Sequence, residues 1–294
     1  VAARRLVPAA LAGVLLSAAL ALAVLGPVPA AMFATPAPWL KLLYTGALAV
    51  AAGWLAAMGV SGLAGAAVGA LALRLRSDYL AIATFGVAVT LQLVATNAQA
   101  LTGGTFGIQF IPKPMQAWFG TGTAWNLAYL ALVVAILALV YLALETLVRS
   151  PWGRVLRAIR EDEDAAASLG KRAFVFRLQS FVIGSMLMGL GGALYAHFVG
   201  YIAPEDFLPI LTFQLWAMLI VGGAGNNRGA IVGALLVWGF WAAAGAALRG
   251  FIPQGEQARA AALQVVLIGV LIALMLLWRP RGLLGEDVKV SRGA

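Results

Sequence analysis

The chain has no cysteine and only one histidine, His197, among its 294 residues. Without cysteine there is no disulfide, no Cys-ligated zinc, no iron–sulfur cluster and no thiol nucleophile. A single imidazole leaves no His pair for zinc and argues against a Ser-His-Asp hydrolase. Charge is scarce too: Asp, Glu, Lys and Arg make up 11% of the chain, against about 25% in soluble domains. No G-x-x-x-x-G-K-S/T loop occurs, since Gly170-Lys171-Arg172 lacks both the upstream glycine spacing and the hydroxyl, so ATP is not bound by that route. The clusters Gly189-Leu190-Gly191-Gly192 and Gly222-Gly223-Ala224-Gly225 follow no predicted strand, which removes a dinucleotide-loop reading. The grouped carboxylates (Glu161-Asp162-Glu163-Asp164, Glu205-Asp206 and Glu286-Asp287) all fall outside the apolar runs. Ion-coupled carriers place acids or histidines within the membrane, so a proton-coupled secondary carrier is the weaker alternative. A membrane-embedded enzyme is disfavoured as well, because no acid, histidine or metal cluster gathers at one depth.

What the chain does have is apolar sequence, 63% of it. About 20 apolar helical residues cross a bilayer, and runs of that kind are Leu6–Val28, Trp39–Leu73, Tyr79–Thr96, Trp125–Val148, Leu178–Phe198, Pro209–Val221, Ala230–Leu248 and Ala260–Trp278. Leu6–Val28 begins after Arg4 and Arg5 like a signal peptide, but its apolar part is longer than a signal h-region and reads as a true first span. Trp39–Leu73 is too long for one upright helix, and Gly59, Gly62 and Gly65 predict a tilted span plus a second short helix. Pro209–Val221 is too short to cross alone, so it borrows flanking residues or forms a buried, discontinuous helix. With eight spans starting inside, the inner segments hold 16 of the 20 basic residues, and only Lys41, Lys113, Arg249 and Arg259 lie outside. Basic residues are retained on the cytoplasmic side. The net charge of +9 therefore marks membrane orientation rather than a nucleic-acid surface. The expected fold is an all-α polytopic bundle of about eight spans, one transmembrane domain over residues 1–294, with both termini cytoplasmic. Trp118, Trp125, Trp152, Trp216 and Trp278 sit near span ends as interfacial aromatic belts do, and His197 reads as interfacial rather than as a ligand.

One cytoplasmic loop stands out, residues 149–177. It holds four consecutive acids flanked by seven basic residues. The pattern predicts two short helices. The first covers about Gly153–Glu163, with Arg154, Arg157, Arg160 and Glu161 at spacings that pair along one face. Ala165-Ala166-Ala167 then favours helix, and Gly170 provides the stop. Small residues let another backbone approach, and the acids offer charge complementarity to a partner. On these residues alone, a solvated loop with incidental helix stays equally open.

At this loop the sequence resembles a known family. Asp164-Ala165-Ala166, three residues and then Gly170 is similar to the E-A-A-x-x-x-G loop of ABC importer permeases, with Asp in place of the usual Glu. Gly153-Arg154-Val155-Leu156-Arg157-Ala158-Ile159-Arg160-Glu161 through Leu169-Gly170, followed by Phe181-Val182-Ile183 and Gly189 to Ala196, resembles the branched-chain amino acid permeases of LivM type. So do Leu73 to Thr84, Leu101-Thr102-Gly103-Gly104, Gly222-Gly223-Ala224-Gly225 to Gly229, and Arg279 to Gly285, all in matching order. The family's glycine-rich stretch ending in Ser-Leu-Gly-His is not found between Val1 and Leu73, so divergence or an N-terminal truncation is expected within residues 1–72.

The resemblance implies the permease subunit of an ATP-binding-cassette importer in a bacterial inner membrane, carrying branched-chain or related hydrophobic amino acids. Relatives that move urea, short amides or other small polar solutes supply an alternative cargo. The implied partners are separate ATPase subunits that hold the ATP, a second homologous permease and an extracytoplasmic binding protein. The chain itself is expected to bind no cofactor and to be no enzyme. Asp164, Ala165, Ala166 and Gly170 would form the ATPase-coupling element, with Arg157, Arg160 and Glu161 at its rim. Candidate pathway residues are Gln92, Asn97 and the turn Thr102-Gly103-Gly104, where freed backbone groups suit a zwitterion. Interhelical hydrogen bonds are the plainer role for the same residues.

Overall fold

The computed structural model describes residues 48–120, 122–251, 257–279 and 282–285. These are almost wholly helical, with a single isolated antiparallel bridge, Ile108 to Ile202, among the described residues. Long apolar runs in hydrocarbon have no water to satisfy their amides, so the helix, which satisfies them internally, is the form they take. Five described helices are long and apolar enough to cross a membrane, and the whole has the make-up of a polytopic membrane protein. The run Leu6–Val28 lies outside the described residues, as does most of the segment where divergence is expected. Two compact units are present, Val1–Asp206 and Phe207–Ala294.

In the first unit α1 spans Leu48–Ala72 and α2 Ser77–Asn97. A short α3 (Gln99–Thr102), a 3-10 turn (Gly104–Phe106) and α4 (Gln116–Phe119) lead to α5, Thr123–Arg149. Two short helices follow, α6 (Pro151–Glu161) and α7 (Glu163–Ser168), and then α8, Ala173–Val199. The most extensive pairing is α1 against α8. It is built on small residues. A Cβ placed on Gly62 would meet Met186, one on Gly65 would lie 2.6 Å from Ser185 Cβ, and one on Gly189 would lie 2.6 Å from the Ala57 carbonyl oxygen. Ser61 Oγ donates across the same seam to the Ser185 carbonyl at 2.7 Å. In lipid, where apolar contact alone gives no advantage, such close approach and a hydroxyl bond are what associate two helices.

That seam corrects one expectation. Residues 48–72 form one unbroken helix, not a span plus a second short helix. Gly62 and Gly65 mark the contact with α8 rather than a break, because a broken backbone in hydrocarbon costs far more than a glycine within a helix. Trp125 departs from expectation as well. It is buried rather than part of an exposed belt: its ring stacks on Tyr129 and Phe198, and its indole N–H donates to the Pro114 carbonyl at 2.8 Å. Trp216 lies in mid-helix rather than at a helix end. The outward faces of α2 and α5 carry Ile82, Phe85, Leu91, Leu130, Leu139 and Leu142, all exposed, as a lipid-facing surface requires.

The second unit holds α9 (Pro209–Gly222), α10 (Asn227–Phe251) and α11 (Gln257–Trp278). Its core is Ala217, Val221, Val237 and Ile268, with Phe240, Trp241 and Met275 packed against it. The 14 residues of α9 are too few to cross a bilayer upright. Its open end is closed by the segment after α11. Leu283 and Leu284 N–H groups donate to the Val221 and Gly222 carbonyls, each at 3.0 Å, and Asn226 Nδ2 donates to the Leu284 carbonyl at 3.0 Å. A Cβ on Gly282 would collide with Gly223 backbone at 2.5 Å, so this approach needs glycine. Two sequence motifs some sixty residues apart, around Gly222–Gly225 and Gly282–Gly285, thus form one structure.

Substituting Gly65 by Leu should lower the thermal midpoint of the purified protein in detergent, since overpacking of this kind costs about 1–3 kcal/mol. Gly191→Ala, where an added Cβ meets nothing within 4 Å, should leave the midpoint unchanged. Fluorescence-detected thermal unfolding of the two variants checks the contrast.

Candidate functional site

The segment between α5 and α8 is a small folded element of its own. Ser150 leaves the helical conformation after α5 and starts α6 as its N-cap, its Oγ accepting from Gly153 N–H at 3.4 Å, with Pro151 in the first helical turn. Both residue types favour this position, the hydroxyl as acceptor and the proline through its fixed φ. The turn is tight enough that a Cβ on Gly153 would lie 2.8 Å from the Leu147 carbonyl oxygen. Trp152 Nε1 donates to Gln179 Oε1 at 2.8 Å and so fastens the start of α6 to α8.

α6 is strongly two-faced. Ile159 is buried and Val155 half-buried on one side, while Arg154, Arg157, Arg160 and Glu161 are exposed on the other. The arginines do not simply pair along their own helix. Arg154 and Arg157 reach back to the Arg149 and Val148 carbonyls at 3.4 and 3.3 Å, where they serve the open C-terminus of α5. α6 ends at Glu161, two residues short of the expected Glu163, because Asp162 is extended and becomes the N-cap of a new helix. Its carboxylate accepts from Ala165 N–H at 2.9 Å.

α7 closes with Gly170 in the left-handed region, φ +75°. Lys171 N–H donates to the Ala166 carbonyl at 3.1 Å and Gly170 N–H to Ala167 at 2.8 Å, the paired bonds of a Schellman stop. Ala166 is buried with Ile159 and Ala173, and Phe176 packs against them. Asp164, Ala165, Leu169 and Gly170 are all exposed, Leu169 at 80%. An exposed ion pair joins Glu163 to Arg177 of α8. The element is therefore a pair of capped helices on a core shared with the start of α8, presenting acids, small residues and one bare leucine. The expected rim residues Arg157, Arg160 and Glu161 lie on α6 beside it. Asp162, Ser150 and the Trp152–Gln179 bond escape the sequence reading, although Ser-Pro is a recognisable helix-start signal.

The pathway candidates gather elsewhere, at the far end of α2, roughly 30 Å of helix away from the turn that precedes it. Gln92 Nε2 donates to the Pro204 carbonyl at 3.3 Å, and Asn97 Nδ2 to the Leu93 carbonyl at 2.7 Å. Thr102 Oγ1 donates to the Ala98 carbonyl at 2.9 Å and also contacts the Ala95 carbonyl, while it accepts from Gly104 N–H at 3.3 Å. Gly103 and Gly104 both have positive φ, and a Cβ on Gly103 would strike the Gly107 carbonyl. The structure thus brings these five residues into one region and uses each of the three side chains to fasten backbone. His197, at the end of α8, makes a similar arrangement, its Nδ1 lying 2.7 Å from the Pro112 carbonyl oxygen.

Compared with known proteins, residues 9–276 match the family model described as the branched-chain amino acid transport system permease component. The chain is 32% identical over 263 residues to the high-affinity branched-chain amino acid transport system permease protein LivM of Escherichia coli, covering 80% of this chain and 59% of that protein. It is 33% identical over 163 residues to the probable branched-chain amino acid transport permease protein LivM of Methanocaldococcus jannaschii, covering 55% and 46%. The autoinducer 2 import system permease protein LsrC of Enterobacter is 29% identical over 186 residues, 62% of this chain and 52% of its own. The chain spans about half to three-fifths of the length of these curated relatives. No solved structure matches it.

If Asp162 is what separates α6 from α7, Asp162→Ala should destabilise α7 by about 1 kcal/mol, the usual worth of such a cap. Hydrogen exchange at the amides of Ala165–Ser168 should then speed up severalfold, while Asp162→Asn, which keeps the acceptor, should exchange as the parent does.

Proposed function

The chain belongs to the branched-chain amino acid transport permease family, and from that premise we propose that it is the membrane subunit of an ATP-binding-cassette importer for branched-chain or related hydrophobic amino acids. The amino acid cargo rests on the names of its LivM relatives and on a chain whose spans carry few charges. The observation that carries the reading is the capped pair α6–α7. Two side-chain caps, a Schellman stop and a core shared with the start of α8 give this pair an exposed face of fixed shape beyond the ends of the spans, which supports docking of a separate protein there. A separate ATPase would seat on the exposed face formed by Asp164, Ala165, Leu169 and Gly170. Arg157, Arg160 and Glu161 would border that contact.

In this reading ATP is bound and hydrolysed on the partner, and this chain is no enzyme. Closing of the ATPase pair would push on α6–α7 and shift the permease between outward- and inward-open packings. A second homologous permease would enclose the pathway, and an extracytoplasmic binding protein would deliver the cargo. Gln92, Asn97 and the Thr102-Gly103-Gly104 turn would shape the pathway wall. Their hydrogen bonds to backbone favour holding that wall in place over ligating the amino acid.

Two measurements test the proposal. Gly170→Arg should abolish co-purification of the cognate ATPase or lower its substrate-stimulated activity by about tenfold, equal to about 1.4 kcal/mol of docking. Gly170→Asn tolerates the left-handed conformation and should stay near the parent; equal activity in the Arg variant would refute the docking face. Uptake by cells should collapse on ATP depletion and survive dissipation of the proton gradient, and the reverse pattern would point to a carrier.

A further inference from the structure

A groove of about 510 Å³ opens between the end of α1, α6 and the first turns of α8. That volume is within the range of small-molecule sites. Its walls differ in kind. Leu73, Leu156, Ile159 and Phe181 are its apolar lining, and Arg160, Arg177 and Ser180 its polar lining. No carboxylate occurs among the described residues that line it.

Its depth is given by the helices around it. The apolar window of α1 ends at Ala72, and the turn that follows carries Arg74 and Arg76. On α8 the cations Arg172 and Arg177 give way to the continuous apolar run that begins at Phe181. The groove straddles this change from apolar to charged on both helices, the level at which a bilayer's headgroups lie. Arg74 adds a further cation beside it, its guanidinium 5.3 Å from the Phe174 ring. Arg177 gives one N–H of its guanidinium to Glu163, and a guanidinium has five.

We propose that this groove holds the headgroup phosphate of an anionic phospholipid, with Arg160, Arg177 and Ser180 on the phosphate and the apolar wall against the upper acyl chain. Basic pockets at this level, between helices, take anionic headgroups by the same combination. A zwitterionic lipid presents its ammonium to the same arginines and binds less well. Because α6 lines the groove through Leu156, Ile159 and Arg160, the bound lipid would brace the helix that leads into α7. The lipid's seat meets the proposed docking face of α7 only at its rim, where Arg160 lies, and the test on the chain alone stands whatever that partner is.

The test uses the full chain in nanodiscs of phosphatidylcholine doped with phosphatidylglycerol, delipidated stepwise and read by native mass spectrometry. Phosphatidylglycerol should be the last lipid retained. The double variant Arg160→Gln/Arg177→Gln should lose that preference by about fivefold for each arginine removed. Ser180→Leu changes no charge, substitutes an exposed side chain and fills the groove, so it should also release the lipid. Parent-like retention of phosphatidylglycerol by both variants would overturn the assignment, as would equal retention of phosphatidylcholine. Displacement of the lipid by inorganic phosphate at millimolar concentration would overturn it as well, marking a site for free anions.

Discussion

Every helix that ends near or within hydrocarbon leaves carbonyls that water is not there to take, and this chain is organised around giving them donors. The last carbonyls of α9 receive Leu283 and Leu284. Those of α5 receive Arg154 and Arg157, and the Ala95 carbonyl near the end of α2 receives Thr102; outside the spans, Gly170 and Lys171 do the same for α7. Irregular backbone is treated in the same way. Trp125 takes the Pro114 carbonyl and Gln92 that of Pro204. Tyr129 reaches into α8 for the Leu194 carbonyl at 2.7 Å. The polar residues of the described spans are few, and most that can be traced act as donors to backbone. Motifs distant in sequence meet because one supplies the orphan acceptors and the other the donors.

The same constraint explains which features are legible in the amino-acid sequence. Helix positions follow directly from apolar run length, because in lipid a run of that length has no other form open to it. The stop at Gly170 is legible because a left-handed residue after a helix has few occupants other than glycine. What stays hidden are choices between two satisfied states. Gly62 and Gly65 are compatible with a break or with a close helix contact, and only the opposing Met186 and Ser185 decide between them. Asp162 is one of four consecutive acids, and periodicity gives no sign of which one leaves the helix. Trp125 reads as interfacial by position, and its partners Pro114 and Phe198 lie 11 and 73 residues away.

The two candidate regions are held in different ways. The α6–α7 element packs on a small core shared with the start of α8 and shows its acids and small residues outward, while the Thr102–Gly104 region turns its polar side chains onto the backbone. Two side-chain caps and a Schellman stop fix the shape of the first, and bonds from Gln92, Asn97 and Thr102 to backbone carbonyls fix that of the second. The match to the family model, residues 9–276, extends through both regions.

α8 joins the two regions, and its length has a mechanical consequence. Its 27 residues run without proline from Ala173, against the core of α7, to Val199, beyond the stacked Phe198. At 1.5 Å per residue it is a strut of about 40 Å. Its most extensive bearing is the small-residue seam with α1, centred near Ser185, roughly midway along, and it is fastened toward both ends as well, by Gln179 to Trp152 and by the Leu194 carbonyl to Tyr129. A strut held at its middle and near both ends fixes the spacing of what it carries. The core that Ala173 shares with α7 and the contact of His197 with the Pro112 carbonyl are thereby kept a set distance apart.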